Sequence, residues 1–158
     1  MLNTSTTIIE PFSRLTNVQL YAILKLRSDV FVVEQSCVYP DLDDKDLHAD
    51  THHLLCYQGE VMVGYARCLA PDLSFADAAS IGRVVVAGEA RGYGLATAIM
   101  QTAIATCHAQ WPKKHIVIGA QTYLQDFYTR LGFSPISPAY DEDGIMHIDM
   151  RLGQKNSA

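Results

Sequence analysis

The stretch Ser80-Ile81-Gly82-Arg83-Val84-Val85-Val86-Ala87-Gly88-Glu89-Ala90-Arg91-Gly92-Tyr93-Gly94-Leu95-Ala96 restricts the fold more than any other. A β-branched apolar run passes into a glycine turn, and the turn opens a helical pattern, so a strand must hand over directly to a helix. Residues Arg91 to Ala96 read R-x-x-G-x-A. Glycines leave backbone N–H groups uncovered, and the first helical turn adds unpaired N–H groups and the positive end of its dipole. Such a spot suits a diphosphate without any lysine. Two familiar phosphate loops are excluded. The chain has no Gly-Lys pair for a P-loop, and Gly92-Tyr93-Gly94-Leu95-Ala96-Thr97 ends in threonine where the dinucleotide fingerprint needs glycine. By itself the turn reads equally well as a plain helix start.

The 158 residues suit one domain over 1–158, with loose ends expected at 1–6 and 153–158. With 49% hydrophobic and 18% charged residues, the chain has enough apolar material for a packed core rather than disorder. No apolar run approaches a membrane span and no leader pattern stands at the N-terminus, so a soluble, cytoplasmic protein with no membrane partner is expected. The net charge of −5 and the lack of a basic stripe argue against nucleic acid, although a local basic patch can still hold an anionic cofactor. Cys37, Cys56, Cys68 and Cys107 show no C-x-x-C spacing and read as buried or idle thiols.

Taken in order, Thr7 to Phe12 is a first strand, placed at a sheet edge by Pro11. Thr16-Asn17-Val18-Gln19 is a capping box, opening a helix to about Phe31 with Leu20, Ile23, Leu24, Val30 and Phe31 as its buried stripe. Arg27 falls within that stripe, and Glu34 lies on the same face if the helix extends so far. A buried arginine needs a partner. Either an internal ion pair or a ligand carboxylate gripped through two hydrogen bonds satisfies it.

Asp41 to His53 carries five aspartates and three histidines. It departs from a calcium loop and from a zinc helix, so it reads as a solvated acidic lid, fit for the rim of an acceptor site, with no metal. His53–Tyr57 and Val61–Cys68 form a hairpin. The central strand Ser80–Ala87 precedes a helix from about Arg91 to Ala109, with Leu95, Ile99, Ala103 and Thr106 on one face. Then come a strand His115–Ala120, a short helix Leu124–Leu131 stopped by Gly132, and strands Phe133–Ile136 and Ile145–Leu152 around the turn Asp141–Gly144.

This order, with Arg91–Ala96 and Phe127-Tyr128-Thr129-Arg130-Leu131-Gly132-Phe133 about thirty residues apart, resembles the GNAT superfamily of acetyl-CoA-dependent N-acetyltransferases. The stretches Leu26–Gln35, Ile81–Val86 and Asp143–His147 resemble its ElaA-type subgroup. The resemblance implies an α/β GNAT fold, a mixed twisted central sheet of about six or seven strands flanked by helices. It implies acetyl-CoA as co-substrate, with the pyrophosphate on the amides of Gly92, Tyr93, Gly94, Leu95, Ala96 and Thr97 and with Arg91 as a further cofactor contact. The pantetheine arm would pair with Val84, Val85 and Val86, and Gln121 and Phe127 would add contacts. A slot for the thioester would open where the strand from His115 leaves the central one. The N–H of Val85 or Val86 would face the oxyanion, and Tyr128 would protonate the leaving thiolate.

Gln121 stands where the family often has Asn and Leu124 where Ala is common, and the central strand lacks the frequent glutamate. Glu34 and His147 are therefore the candidate bases, while Arg27, Phe31 and Arg83 are candidate acceptor contacts. The acceptor implied is a small-molecule amine or a protein amino group, and a homodimer is left open. The R-x-x-x-F spacing of Arg27 and Phe31 also resembles the acyl-homoserine-lactone synthases, against which Cys37 replaces an expected tryptophan. A non-catalytic coenzyme-A-binding module is the third reading, and the retained Tyr128 speaks against it.

Overall fold

The computed structural model describes residues 4–153. Strand β1 (Thr6–Pro11) leads to helix α1 (Asn17–Arg27), and β2 (His52–Gln58) and β3 (Val61–Leu69) form the expected hairpin. After β4 (Ala78–Val86) come α2 (Leu95–Gln110), β5 (His115–Gln121) and α3 (Gln125–Arg130), then β6 (Ser134–Pro135), β7 (Tyr140–Glu142) and β8 (Ile145–Leu152). One sheet runs in the order β1-β2-β3-β4-β5-β8-β6, with β7 also beside β8, making eight strands. The count exceeds expectation because residues 134–142 supply two short strands against β8, where the sequence suggests one strand and a turn. All pairs are antiparallel except β4 with β5. Strand β1 lies at the edge, where Pro11 interrupts no central ladder. No helix among the described residues is long and apolar enough to cross a membrane.

Side chains alternate between the two faces of the sheet. Leu54, Ala66, Cys68, Val84 and Val86 face one core with α2, whereas Leu55, Tyr65 and Val85 face the other with α1. On α2 the buried positions are Ile99, Met100, Ala103 and Cys107, a stripe rotated from the expected one. Thr106 is half-buried and turns its hydroxyl back to the Thr102 carbonyl at 2.9 Å. The helix begins at Leu95 rather than Arg91, because Gly92 and Gly94 take φ of +89° and +77°. A Cβ on Gly64 would sit 2.5 Å from Ile99 Cδ1, so the bare backbone of β3 is what lets α2 approach.

The capping box at Thr16 is present, with Gln19 N–H donating to Thr16 Oγ1 and Thr16 N–H donating to Gln19 Oε1. Past Arg27, helix α1 widens into a π-helix over Ser28–Glu34, so the segment extends beyond the expected Phe31.

The loop after it overturns the solvated-lid expectation. Asp41 and Asp46 are buried, and Arg27 is fully so. Arg27 Nε donates to Asp41 Oδ2 at 2.9 Å and Nη1 to Asp46 Oδ1 at 2.8 Å. Arg67 on β3 reaches Asp43 Oδ2 at 2.5 Å and Asp46 Oδ1 at 3.0 Å. Arg83 on β4 lies 2.8 Å from Asp41 Oδ1 and 3.4 Å from Asp43 Oδ2. Three arginines from three elements thus hold three aspartates of one loop. His53, expected in the loop, belongs to β2 and is fully buried. Its Nε2 faces the Asp46 carbonyl at 3.0 Å, which can only accept, so Nδ1 accepts from Tyr65 Oη at 2.6 Å.

Burial opposes ionisation of Asp43, but the hydrogen bond and charge of Arg67, aided by Arg83, lower its pKa to about 2. Asp46 is likewise lowered, its burial outweighed by Arg27 and Arg67. Burial pushes the His53 imidazole below its usual value. The unfolded chain binds protons more tightly at all three groups, so acid destabilises the fold. Thermal melts should show stability falling first below about pH 6.5, where free histidine charges, and again from about pH 4 towards 2. Arg27→Met should cost about 3–5 kcal/mol in urea unfolding, because it leaves buried carboxylates uncompensated.

Candidate functional site

Strands β4 and β5 pair at only two positions, Ala78 with His115 and Ala79 with Ile116. From there β5 follows β8 as far as Gln121, while β4 stays with β3. The facing edges part, as expected, and a cleft of about 790 Å³ opens between them. The register of β4 against β3 slips near Arg83, whose φ of +51° marks a bulge. Beyond it the Ala87 N–H donates to the Val63 carbonyl at 2.8 Å. Ladder alternation therefore turns the backbone of Val85, opposite Tyr65, towards β3 and that of Val86, opposite Gly64, into the cleft. Of the two candidate oxyanion donors, only Val86 presents its N–H to the gap.

The glycine turn lies at one end of this edge. The first hydrogen bond of α2 runs from the Ala98 N–H to the Gly94 carbonyl at 3.2 Å, and no side chain caps the helix. The amides ahead of it are unpaired within the helix. Nothing lies within 4 Å of where a Cβ on Gly92 or Gly94 would stand, so the turn faces open space. These residues fit the pyrophosphate of coenzyme A: free donors, a positive dipole end and no side chain in the way. Arg91 and Ala96 also line the cleft. The Arg91 Nε donates to the Val86 carbonyl at 3.0 Å, and its Nη1 pairs with Glu34 Oε2 at 2.9 Å.

Tyr128 on α3 lines the cleft and is 8% exposed. No hydrogen-bond acceptor among the described residues takes its hydroxyl, and burial pushes its pKa up to about 12. His147 on β8 stands opposite Gln121 and lines the same cleft. Its Nδ1 faces the Ile145 carbonyl at 2.8 Å and must donate, so in the neutral ring Nε2, 3.5 Å from Glu142 Oε2, is the atom that carries the lone pair. Glu34 lines the cleft too, but its carboxylate is tied to Arg91. The Gln121 amide reaches the Gln35 side chain at 3.5 Å, and Cys37 Sγ the Asp143 carbonyl at 3.4 Å, so two contacts join the segment after α1 to β5 and to the turn before β8.

Phe31 and Arg83 line the cleft, with the Arg83 guanidinium held by Asp41 and Asp43. Arg27 does not: its guanidinium is consumed by Asp41 and Asp46, and the internal ion pair is the alternative the fold realises. Phe127 also falls outside the lining and packs against the core, edge-on to Tyr128 with centroids 5.1 Å apart. Sequence reasoning missed Arg67, Lys45, Tyr140 and Glu142, all of which line the cleft. An arginine at an alternating strand position is the one available signal, and it belongs to Arg67. Among the described residues, no three His, Cys, Asp or Glu side chains gather as a metal site.

Residues 29–153 match the model of the acetyltransferase (GNAT) domain family. The chain is 44% identical to protein ElaA of Escherichia coli K12 over 138 residues, 87% of this chain and 90% of that protein. The crystal structure of Escherichia coli ElaA superposes with a TM-score of 0.88 at 40% identity, over 94% of this chain and 99% of that one. An acyl-CoA N-acyltransferase from Pseudomonas aeruginosa superposes with a TM-score of 0.89 at 37% identity, over 95% of this chain and all of the other.

At Gly94 a left-handed φ costs an alanine about 1–2 kcal/mol, and relief of that strain reorients the helix amides. Gly94→Ala should weaken binding of inorganic pyrophosphate about tenfold by calorimetry, with the overall fold kept by circular dichroism.

Proposed function

The chain belongs to the acetyltransferase (GNAT) domain family, and on that premise we propose that it is an acetyl-CoA-dependent N-acetyltransferase acting on a primary amine by direct attack. One observation carries the reading: the unpaired edge of β4, the uncapped start of α2 and the unpaired hydroxyl of Tyr128 all belong to one cleft or its rim. Acetyl-CoA supplies an electrophilic thioester carbonyl and a thiolate leaving group.

The chain's own groups then have distinct tasks. The amides of Gly92 to Thr97 hold the diphosphate, and the open backbone edge at Val84 and Val86 aligns the pantetheine arm. The Val86 N–H donates to the carbonyl oxygen as it gains charge, a role a fixed backbone dipole fills without reorganisation. His147 Nε2 takes the proton that the amine loses as the C–N bond forms. Tyr128 gives its proton to the sulfur as the C–S bond breaks, so one acetyl group and one proton are exchanged with no covalent enzyme intermediate. The Glu142 carboxylate lies beside His147, its Oε2 3.5 Å from Nε2.

A thiol-release assay with acetyl-CoA over a panel of primary amines tests the reading. Release with at least one amine is expected; coenzyme A binding with no release from any would overturn it. Tyr128→Phe should lower kcat by about a hundredfold or more while leaving coenzyme A affinity within about twofold. Because Tyr128 holds its proton to about pH 12, kcat/KM should rise with pH as the base and acceptor lose protons and show no Tyr128-dependent fall below about pH 10.

A further inference from the structure

The three arginines most able to grip an anionic acceptor are already matched. Arg27, Arg67 and Arg83 face Asp41, Asp43 and Asp46, so the cluster carries no net charge. Three donors on this wall of the cleft remain, the first being Arg83 Nε, which lies 2.8 Å from Asp41 Oδ1 as an ion pair but makes no hydrogen bond among the described residues. The Arg67 side chain is 3% exposed and lines the cleft; its Nη atoms serve Asp43 and Asp46, but its Nε is buried with no hydrogen-bond partner among the described residues. Lys45 also lines the cleft, and its ammonium donates to the Ser74 hydroxyl at 2.8 Å with no carboxylate in ion-pair range among the described residues. Asp43 ties the Arg67 side chain to the Lys45 backbone, its Oδ1 accepting from both Arg67 Nη1 and the Lys45 backbone N–H. Buried Ser80, opposite Leu69 on β3, belongs to the same wall.

The other end has the opposite sign. Glu142 and Asp143 line it beside His147, with no arginine or lysine paired to either among the described residues. These ends lie apart along the fold: Ser80 marks the base where β4 leaves β5, and His147 faces Gln121 at the far end of β5.

We propose that the acceptor is an amine that also carries a carboxylate on a spacer. The carboxylate sits against Lys45, Arg67 Nε and Ser80, and the amino group lies beside His147 and Glu142. A buried N–H without a partner is costly, so a ligand oxygen that reaches Arg67 Nε removes a penalty that a plain amine leaves in place. Lys45 adds a charge-assisted bond, and the acidic end favours approach of the ammonium, which gives its first proton to solvent and leaves the second for His147 as the C–N bond forms. The spacer runs past Phe31, Ile118 and Ile145, which supply apolar wall for methylene groups.

The identity of the reaction rests on the acetyl-transfer reading; the pairing of a carboxylate with Arg67 and Lys45 does not. The test uses pairs differing only in the carboxylate and graded in spacer length: ε-aminocaproate with pentylamine, lysine with cadaverine, and 11-aminoundecanoate with decylamine. Thiol release from acetyl-CoA should show kcat/KM at least about tenfold higher for the carboxylate-bearing member of one or more pairs. In Lys45→Gln that preference should collapse through KM, with kcat for the carboxylate-bearing amine kept within about twofold, and Lys45→Arg should restore it. Among the described residues the Lys45 side chain makes one hydrogen bond, to an exposed serine, so folding survives, and a thermal melt checks this. Ser80→Ala should reduce the same preference as an independent variant.

Equal use of both members by the wild-type protein, or a preference that survives Lys45→Gln, overturns the inference while leaving acetyl transfer intact. Calorimetry of ε-aminocaproate and pentylamine on the coenzyme-A-loaded protein separates the two failures. Selective binding of ε-aminocaproate without thiol release supports the carboxylate site and defeats the acetyl-transfer reading. Equal or absent binding of both, with no release, defeats the two together.

Discussion

Two parallel strands that pair for two residues and then part are the constraint on which everything else rests. Backbone N–H and C=O groups must be satisfied, and a sheet interrupted in its middle leaves a row of them facing a gap. Here the interruption is held open from outside. Strand β5 is bonded along its length to β8, and β4 is bonded to β3, so neither can close on the other. The exposed edge of β4 is a ready partner for an extended ligand, and the start of α2 at its end supplies an anion site. Tyr128 and His147 reach the same space from α3 and β8. An extended molecule with a diphosphate at one end and a reactive group at the other matches this arrangement.

The buried charge cluster sets the other wall. The loop from Tyr39 to Asp46 has little apolar surface of its own to bury, and it is held instead by arginines from α1, β3 and β4. Removing all six charges together is a different matter from removing one, because a matched cluster roughly balances its desolvation while an orphaned ion does not. The Arg27 guanidinium stays charged even in full burial, and Asp43 and Asp46 stay ionised through the same contacts. The consequence for recognition is indirect: arginines engaged this way shape the cleft without giving it net positive charge.

Local patterns were legible where local physics decides. The capping box at Thr16, the hairpin of β2 and β3, the glycine turn before α2 and the stop at Gly132 all follow from short-range rules, and each lies where the sequence places it. Tyr128 was legible through its motif. The aspartate loop was not, because each acid's partner comes from an element far away in the chain, and alternating acids beside histidines look the same whether solvated or buried. Phe127 failed for a related reason: its motif fixes a helix but not which flank of that helix faces the cleft.

The sequence by itself determined a strand–turn–helix with bare amides, an α/β order of elements and a tyrosine downstream, because propensity, periodicity and glycine conformation act over a few residues. Only the tertiary structure decided how briefly β4 and β5 pair before they part, that Val86 rather than Val85 faces the gap, that Arg27 is consumed internally, and that Arg67 and Lys45 keep donors to offer. Those outcomes depend on which strand pairs with which and on where charges from distant segments meet, and such contacts have no short-range signature.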